Sequence, residues 1–318
     1  MKRMKKNKTF LLDIYSTPTI DVVGAKFTKG GPPFYASLAL HAIGATYRII
    51  LNIPDNAESS LALIEYLNPT SKKPVKIDNH TLIFKIDVQN DERKIKLLGK
   101  EYKSIVVSQE SSFALFSPLL WEYTTSDMLK VINSHGCTLV DIQGFSRLKL
   151  EDSEVINTFE AALSVLSSIV LSSSNCVIAK FSLEDFANNI EAATTATRIL
   201  VRRGIRVVLT MGSAGLVAAD NGVCLSIEPL LKSGYSVGAG DILATLILYA
   251  IYSGMDFTEA LLAATSATSC ILTLLEKHGV VARASCAKHF KEHIAASKRF
   301  LFSNCCLENV AASLSNKR

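Results

Sequence analysis

The segment Gly238-Ala239-Gly240-Asp241 combines two glycines with a carboxylate, directly before an apolar run at 242–252 that is typical of a buried helix. Glycines allow a sharp turn that exposes consecutive backbone N–H groups. The first N–H groups of a helix lack intrahelical partners and carry the positive end of its dipole, so the segment predicts an anion site. An ionised Asp241 there is suited to take a proton from a hydroxyl while the N–H groups stabilise a transferring phosphoryl group. The simpler alternative is a glycine-rich loop with Asp241 as an ordinary helix N-cap.

A second turn with two glycines lies upstream of this segment. A β-branched run ends at Thr210, then Gly212 and Gly215 follow, and another apolar run comes after them. This pattern predicts a strand, a tight turn and a second strand.

Together, the two glycine segments resemble the C-terminal half of the ribokinase-like (PfkB) family of carbohydrate and nucleoside kinases. In that family, a strand ending in Thr-x-Gly and a further Gly precede a D-T-x-G-A-G-D signature that opens a helix. The signature here is Tyr-Ser-Val-Gly-Ala-Gly-Asp at 235–241. Its G-A-G-D core is intact, while Tyr235 replaces the first Asp and Ser236 replaces the Thr. These two changes affect loop shape and phosphate or metal contacts, not the base.

The N-terminal half also resembles the family, whose members carry an Asp near the end of the first strand and a Gly-Gly pair that opens the first helix. Asp21 and Gly30-Gly31 match these features. The Asn residues that usually follow the glycine pair are replaced by Pro32, Pro33, Phe34 and Tyr35, similar to the G-G-P of archaeal-type relatives. The two aromatic residues either stack on a substrate ring or pack the first helix.

Two further segments match family motifs. Residues 141–147 resemble D-x-N-x-R, which implies that Gln143 binds substrate hydroxyls and Arg147 meets a phosphate; a solvated loop is the alternative. Residues 180–185 resemble K-x-S-x-x-E, whose acidic residue lies near the magnesium–phosphate network. Asp185 would take that role through water, although Ser182 followed by Asp185 also fits a capping box.

The resemblance implies an ATP-dependent kinase that phosphorylates a hydroxyl of a small sugar, polyol or nucleoside, with Mg²⁺ bridging the phosphates. Asp241 would be the general base, and the backbone of Gly238, Ala239 and Gly240 would complete the anion hole. Thr210, Gly212 and Gly215 would line the nucleotide site. The acceptor would be bound by Asp21, Gly30, Gly31, Gln143 and Arg147.

Two other classes of function remain open. A non-catalytic relative that binds a nucleotide or sugar and regulates another process would explain Tyr235 and the missing Asn residues, although it would have no need of Asp241. A dinucleotide oxidoreductase is disfavoured because its glycine loop follows the first strand. The sequence contains neither a G-x-x-x-x-G-K-[ST] phosphate loop nor a G-x-S-x-G nucleophile elbow.

These residues need a scaffold, and short β-branched runs alternate with helical stretches along the chain. The alternation predicts an α/β fold, a three-layer α/β/α sandwich with a mainly parallel central sheet. Strands are predicted at 10–15, 48–53, 105–107, 139–142, 169–171, 177–179 and 207–210. Helices are predicted at 34–43, 155–166, 190–203 and 242–252.

One region departs from this pattern. Between 75 and 98, apolar and polar residues alternate with Asn and Asp in the bends, which predicts a small antiparallel flap with one face in water. With about 14–30, this region would form a β lid over the sugar, on a single kinase domain spanning 1–318. The protein would be a monomer, or a homodimer paired through the lid.

Bulk composition adds limits. Net charge is +5, with much of the excess at the chain ends, and no basic stripe with interleaved aromatics predicts nucleic-acid binding. No apolar run reaches the ~18 residues of a membrane span. The seven cysteines include no C-x-x-C pair and no clustered Cys/His zinc site, so we expect reduced, buried thiols in a cytoplasmic protein, with Cys176 and Cys270 inert in the core.

Overall fold

The computed structural model describes residues 9–23, 25–52, 65–71, 82–89, 92–98, 109–170, 176–221, 223–228, 233–292 and 298–303. The strands are β1 (Phe10–Tyr15), β2 (Thr19–Val23), β3 (Lys26–Gly30), β4 (Tyr47–Leu51), β5 (Leu82–Gln89), β6 (Glu92–Leu97), β7 (Phe113–Phe116), β8 (Cys137–Asp141), β9 (Arg147–Lys149), β10 (Glu154–Asn157), β11 (Val177–Ser182), β12 (Arg206–Thr210), β13 (Leu216–Asp220), β14 (Val223–Glu228) and β15 (Lys298–Ser303). The helices are α1 (Gly31–Ala42), α2 (Thr125–Ser134), α3 (Gln143–Ser146), α4 (Phe159–Ile169), α5 (Ile190–Arg202), α6 (Ala239–Tyr252), α7 (Phe257–His278) and α8 (Ala287–Lys291).

The main sheet has nine strands in the order β15-β14-β13-β12-β11-β8-β7-β1-β4. Six neighbouring strands of this sheet run parallel to one another: β4, β1, β7, β8, β11 and β12. Strands β13, β14 and β15 add an antiparallel edge. One face packs against α1, α6 and α7, and the other face packs against α2, α4 and α5. The predicted three-layer, mainly parallel α/β fold is confirmed.

A second sheet of six strands has the order β3-β2-β5-β6-β10-β9. Within the range predicted for the antiparallel flap, β5 and β6 pair antiparallel as expected. Strand β2 joins them in parallel through β5, with Asp21 opposite Phe84. Its strands β2, β3, β5 and β6 come from the two ranges predicted for the lid, while β9 and β10 come from a third segment. We call these six strands the lid sheet; the single-domain assignment stays a prediction.

The segment 155–166 was predicted as one helix, but it begins as a strand and continues as a helix. In β10, Val155 is buried and Ile156 is exposed, which is the alternation of a strand that pairs with β6 and β9. The chain then turns into α4, whose face of Val165, Leu166 and Ile169 is buried. Val155 on β10 thus has, by chance, a helical spacing relative to the buried residues of α4, and this spacing made the two elements resemble one helix in the sequence.

The other predicted elements show one further error. Strand 169–171 was wrong because Ile169 is the last residue of α4, and its apolar character belongs to the buried helix face. Strand 105–107 lies outside the described residues. Strands overlapping 10–15, 48–53, 139–142, 177–179 and 207–210 are present, as are helices overlapping 34–43, 190–203 and 242–252.

The cysteine prediction is also corrected. Cys137 and Cys176 form a disulfide with a Cα–Cα distance of 4.6 Å, because Cys137 begins β8 and Cys176 directly precedes the neighbouring parallel strand β11. A second disulfide joins Cys270 on α7 to Cys286 before α8, with a Cα–Cα distance of 6.0 Å. Cys176 and Cys270 are therefore cross-linked, so these cysteines do not indicate a cytoplasmic location.

Helix α7 is, within the part of the chain that the structure describes, the one helix long and apolar enough to cross a membrane. It begins at a capping box formed by Asp256 and Glu259 and ends before Gly279, whose φ is +67°. Two thirds of its apolar window, 67%, is buried inside the protein. This burial is typical of a core helix, and α7 packs directly on α6 and on the sheet.

Candidate active site

The candidate chemistry gathers at the carboxyl edge of the parallel strands. Ser117 follows β7, Asp141 ends β8, and Lys180 lies near the end of β11. Open α/β sheets bind ligands in the crevice outside this edge. Helix α6 begins at the same edge and carries Asp241 in its first turn.

The start of α6 has the local geometry of an anion site. Gly238 is its N-cap with φ +75°, a left-handed conformation that favours glycine. The N–H of Ala239 donates to Ser236 O at 3.2 Å. Within the described ranges, the N–H groups of Gly240 and Asp241 donate to no protein acceptor. Two N–H groups at the positive end of the helix dipole are thus available for an anion.

Asp241 is 7% exposed and lies beside Gln143. Gln143 Nε2 donates to Asp241 Oδ1 at 3.4 Å and to Ser117 Oγ at 3.1 Å. Burial raises the pKa of Asp241 to about 7, the charge of Asp141 adds to the rise, and the charges of Lys180 and Arg147 oppose it. A carboxylate with this pKa can accept a proton near neutral pH.

Lys180 lies beneath the anion site, and the sequence analysis assigned it no role. Its Nζ is 2.5 Å from Asp141 Oδ2, and the two side chains are 4% and 1% exposed. A Cβ added to Gly240 would lie 2.8 Å from the same Nζ, so the ammonium touches the loop. Burial lowers the pKa of Lys180, but the charge and hydrogen bond of Asp141, together with the charges of Asp241 and Asp185, outweigh burial, and the net shift is upward. The signal that could have found Lys180 was its place in the K-x-S motif.

Asp21 and the glycine pair form the lid side of the site. Asp21 lies on β2, is 4% exposed, and accepts a hydrogen bond from Thr19 Oγ1 at 2.9 Å. A Cβ on Gly30 would overlap the Asp21 carboxylate, so only glycine permits this approach. Burial raises the pKa of Asp21 to about 6, opposed by the Thr19 hydrogen bond and the charge of Arg147. Gly31 has φ +78° and opens α1.

Arg147 connects the lid side with Asp241. It is the first residue of β9, and one guanidinium nitrogen donates to Leu119 O at 3.0 Å. Its Nε is buried and has no hydrogen-bond partner among the described residues. The charge of its guanidinium opposes the pKa rises of both Asp21 and Asp241. An anionic or hydroxyl-bearing ligand would satisfy the remaining donor.

Asp185 is held by protein donors. Its Oδ2 accepts from Ser182 N at 2.7 Å and Ser182 Oγ at 2.9 Å, and its Oδ1 accepts from Ser146 Oγ at 2.9 Å. Asp185 N donates to Ser182 Oγ, so a reciprocal Ser–Asp arrangement is present. No group of three Asp, Glu, His or Cys side chains suited to hold a metal occurs in the described segments. These side chains fit an ion held through water and phosphate oxygens, not a direct protein cage.

The proposed nucleotide residues lie further along the same edge. Thr210 ends β12 opposite Ser182 of β11, and Leu183 N donates to Thr210 O at 3.0 Å. Gly212 (φ +58°) and Gly215 (φ +100°) form the turn into β13, closed by Met211 N donating to Gly215 O at 2.8 Å. The structure therefore brings Asp241, Gln143, Arg147 and Asp21 together, while the Thr210 turn lies beside the Asp185 segment. The roles of these residues stay predictions.

The family model for pfkB family carbohydrate kinases matches residues 68–279, which include the Asp141, Lys180 and Asp241 segments. No curated protein sequence matches the chain.

Solved structures share the fold. A pyrophosphate-dependent kinase in the ribokinase family, complexed with a pyrophosphate analog and myo-inositol, has a TM-score of 0.60 at 16% identity, covering 82% of this chain and 95% of its own. Arabidopsis thaliana ribokinase complexed with ribose and ATP has a TM-score of 0.59 at 16% identity, covering 89% and 99%. A Vibrio cholerae fructokinase double mutant with fructose, ADP and potassium ion has a TM-score of 0.60 at 14% identity, covering 90% and 99%.

Proposed function

Because this chain belongs to the pfkB family of carbohydrate kinases, we propose that it transfers the γ-phosphoryl group of ATP to a hydroxyl group of a small sugar, polyol or nucleoside. The observation that carries the proposal is the first turn of α6. This turn contains a buried carboxylate with a pKa raised to about 7 and two N–H groups that have no acceptor among the described residues, and the Lys180 ammonium of β11 lies against it.

Asp241 is the general base of the proposed reaction. It takes the proton of the acceptor hydroxyl as the acceptor oxygen bonds to the γ-phosphorus and the bond from that phosphorus to the bridging oxygen breaks, which releases ADP. Gln143 holds the Asp241 carboxylate from the side of β8. Positioning and charge stabilisation supply most of the rate enhancement in phosphoryl transfer.

The anion hole stabilises the charge of the transferring group. Gly238 and Ala239 shape the turn, the N–H groups of Gly240 and Asp241 donate to the phosphoryl oxygens, and Lys180 adds a positive charge beneath Gly240. Donors fixed before the reaction need no reorganisation when charge develops. Bound Mg²⁺ would neutralise phosphate charge, with Asp185 contacting its water shell.

The two substrates enter from opposite sides of Asp241. Asp21, Gly30, Gly31, Gln143 and Arg147 bind the acceptor under the lid sheet, which excludes water from the reacting groups. Thr210, Gly212 and Gly215 line the nucleotide site at the ends of β12 and β13. Solved kinases with this fold were crystallised with ATP or ADP, which supports a nucleotide donor.

The decisive experiment measures ADP release from ATP across a panel of sugars, polyols and nucleosides, with a parallel arm that supplies pyrophosphate and measures phosphate release. Asp241→Asn should lower turnover about 10²- to 10⁴-fold and leave ligand binding intact. Asp220→Asn is the matched control. Asp220 at the end of β13 forms an ion pair with Arg206 at the start of β12, away from the site. Wild-type protein that binds ATP but gives no turnover with any acceptor would favour the non-catalytic relative.

A further inference from the structure

A buried carboxylate connects the main sheet with the lid sheet. Asp185 follows β11 and is 3% exposed, and its Oδ1 accepts a hydrogen bond from Ser146 Oγ at 2.9 Å. Ser146 is fully buried, ends α3 and directly precedes Arg147, the first residue of the lid strand β9. The contact between the two sheets therefore ends one residue away from a proposed acceptor-binding side chain.

An ordinary capping box does not explain this arrangement. At the start of α2, Thr124 Oγ1 donates to Asp127 Oδ2 at 2.7 Å, Asp127 N donates to Thr124 Oγ1 at 3.1 Å, and a ten-residue helix follows. Among the described residues, Asp127 bonds only to neighbours in its own segment. The box of Asp185 opens only a three-residue 3-10 turn, Glu184–Phe186. The bond from Ser146 is therefore additional to capping.

The main-sheet side of the contact is fixed more firmly than the lid side. Asp185 Oδ2 accepts from Ser182 N at 2.7 Å and from Ser182 Oγ at 2.9 Å, at the end of the central strand β11. Phe186 is fully buried, and its ring centroid lies 5.3 Å from that of Phe181 on β11. In contrast, β9 is a three-residue edge strand of the lid sheet and pairs with β10. The carboxylate is therefore the anchor, and Ser146 is the group that it holds.

The Ser146 hydroxyl has one hydrogen and three acceptors around it. Gln143 O lies at 2.9 Å, Asn157 Oδ1 at 3.4 Å and Asp185 Oδ1 at 2.9 Å. A hydrogen bond to an ionised acceptor is about twice as strong as one between neutral groups. The hydroxyl therefore donates to the carboxylate of Asp185, and the connection between the sheets is its strongest bond.

Trp121 contacts the same point of the lid sheet. Its indole Nε1 donates to Arg147 O at 2.8 Å, and its ring packs edge to face on Phe145 with a centroid distance of 5.0 Å. Trp121 is 40% exposed and is the single tryptophan of the chain. A displacement of the Arg147 backbone would therefore change the emission and the solvent access of one fluorophore.

We propose that Asp185 is a positioning residue that, through Ser146, fixes the start of β9 and thereby the place of the Arg147 side chain in this arrangement of the two sheets. The proposal rests on the proposed function, because that function names the acceptor as the ligand of Arg147. Asp185 acts through Ser146 and does not touch the acceptor. This role is separate from a contact with the water shell of Mg²⁺, which would affect the nucleotide and would not need Ser146.

The first test uses Ser146→Ala, which removes the hydroxyl and leaves the carboxylate with both of its Ser182 donors. The acceptor KM should rise about fivefold with kcat little changed, because Arg147 is no longer held in place. The KM of ATP and the Mg²⁺ concentration that gives half the maximal rate should stay within about twofold. Asp185→Ala should also raise the acceptor KM, and adding Ser146→Ala to it should cause no further rise, because both changes remove the same contact.

Two control variants match these changes. Ser111→Ala is matched to Ser146→Ala, because the Ser111 hydroxyl is also buried and donates to a backbone oxygen, Phe113 O at 2.6 Å, before β7 and away from the site. Asp256→Ala is matched to Asp185→Ala, because it removes a helix-capping carboxylate at the start of α7, beyond the end of α6 that lies away from the site. Both controls should keep the wild-type acceptor KM.

The second test needs no turnover. In Ser146→Ala and Asp185→Ala, Trp121 should emit at longer wavelength and be quenched more strongly by acrylamide than in wild type, and neither control should show this change. If wild type gives no turnover with any acceptor but Trp121 changes in this way, the proposed function fails and the positioning of Arg147 stands.

Three results would overturn the positioning role. They are unchanged Trp121 emission and quenching in Ser146→Ala, a wild-type acceptor KM in an active Ser146→Ala, and a KM of ATP that rises in this variant as much as the acceptor KM. If Asp185→Ala does not fold, Ser146→Ala and its control Ser111→Ala decide both tests on their own.

Discussion

The ammonium of Lys180 lies 2.5 Å from the Asp141 carboxylate, and this buried pair sits directly beneath Gly240. Burial is the largest cause of the raised pKa of Asp241. The negative charge of Asp141 raises this pKa further, and the positive charge of Lys180 lowers it. The pair therefore sets the proton affinity of the proposed base from opposite directions. A buried ion pair of this kind is weak evidence for stability and stronger evidence for a perturbed site.

The first prediction concerns the pH dependence of activity. A general base works only when deprotonated, so kcat/KM should rise as pH increases through the Asp241 pKa, which lies at about 7. Rates measured from about pH 5 to about pH 9 under subsaturating acceptor report this ionisation in the free enzyme. A flat profile across neutrality would contradict Asp241 as the base.

The second prediction separates the two members of the ion pair. Lys180→Met removes a charge that lowers the Asp241 pKa, so the acid limb should move to higher pH. Asp141→Asn removes a charge that raises it, so the limb should move to lower pH. Lys180→Met should also lower kcat about 10²-fold, because a preorganised donor beneath the anion hole is lost.

Both variants need a check on folding, since each leaves one buried group without its partner. Circular dichroism and the unfolding midpoint provide this check. If the acid limb of the pH–rate profile moved in the same direction in both variants, the opposite effects assigned to Lys180 and Asp141 on the Asp241 pKa would be contradicted.

The third prediction is a gain of stability in the inactive variant. The folded-state pKa of Asp241 is raised from 3.8 to about 7, so ionising this carboxylate costs stability as pH rises through that interval. Asp241→Asn removes the cost and should raise the free energy of unfolding at pH 8 by roughly 2–4 kcal/mol. The gain should vanish below about pH 4, where the acid is protonated in both states. Urea denaturation at the two pH values measures the difference.

Asp13→Asn is the opposite case and serves as the control. Burial raises the pKa of Asp13, but hydrogen bonds from His135 and from the N–H groups of Glu110 and Ser111 outweigh it and the net shift is downward. Its stabilisation is present above the unfolded pKa of 3.8 and is lost as pH falls through the folded value. Asp13→Asn should therefore lower stability at pH 8 by about 1.5–3 kcal/mol. Destabilisation of both variants at pH 8 would contradict the raised pKa of Asp241.

The fourth prediction tests the contact between the glycine pair and the lid sheet. Gly30→Ala places a Cβ on the Asp21 carboxylate. The backbone itself is not strained by the change, because Gly30 has an extended conformation with φ −144°, which any residue can adopt. Asp21 must shift, so the acceptor KM should rise about tenfold or more, while the KM of ATP changes little. Steady-state kinetics with each substrate varied in turn measures both.

Gly136→Ala is the matched control, because its added Cβ would lie 3.3 Å from Ser112 O, away from the site. An equal rise in acceptor KM in both variants would indicate general destabilisation.

The fold and the position of the proposed base, Asp241, could be predicted from the sequence because each depends on a local pattern. The nearly continuous apolar strands predict the central sheet, and the G-A-G-D segment combines turn, helix start and carboxylate in four consecutive residues. Disulfide Cys137–Cys176 and the parallel pairing of β2 with β5 were not accessible, since both depend on which distant segments become neighbours in the sheets.

The remaining site residues divide in the same way. Gln143 and Arg147 were predicted from a motif, and the structure brings both near Asp241. The contacts of Lys180 with Asp141 and Gly240 join three separate segments, so no spacing along the chain could reveal them.

The lid sheet carries reactive groups of its own. Asp21 lies on β2 and Arg147 begins β9, whereas Asp241 belongs to a helix on the main sheet. Any tilt of one sheet against the other changes the distances from Asp241 to both lid residues at once. An acceptor held by Asp21 and Arg147 would therefore move with the lid sheet, and a tilt of that sheet toward α6 would bring the acceptor hydroxyl to the proposed base.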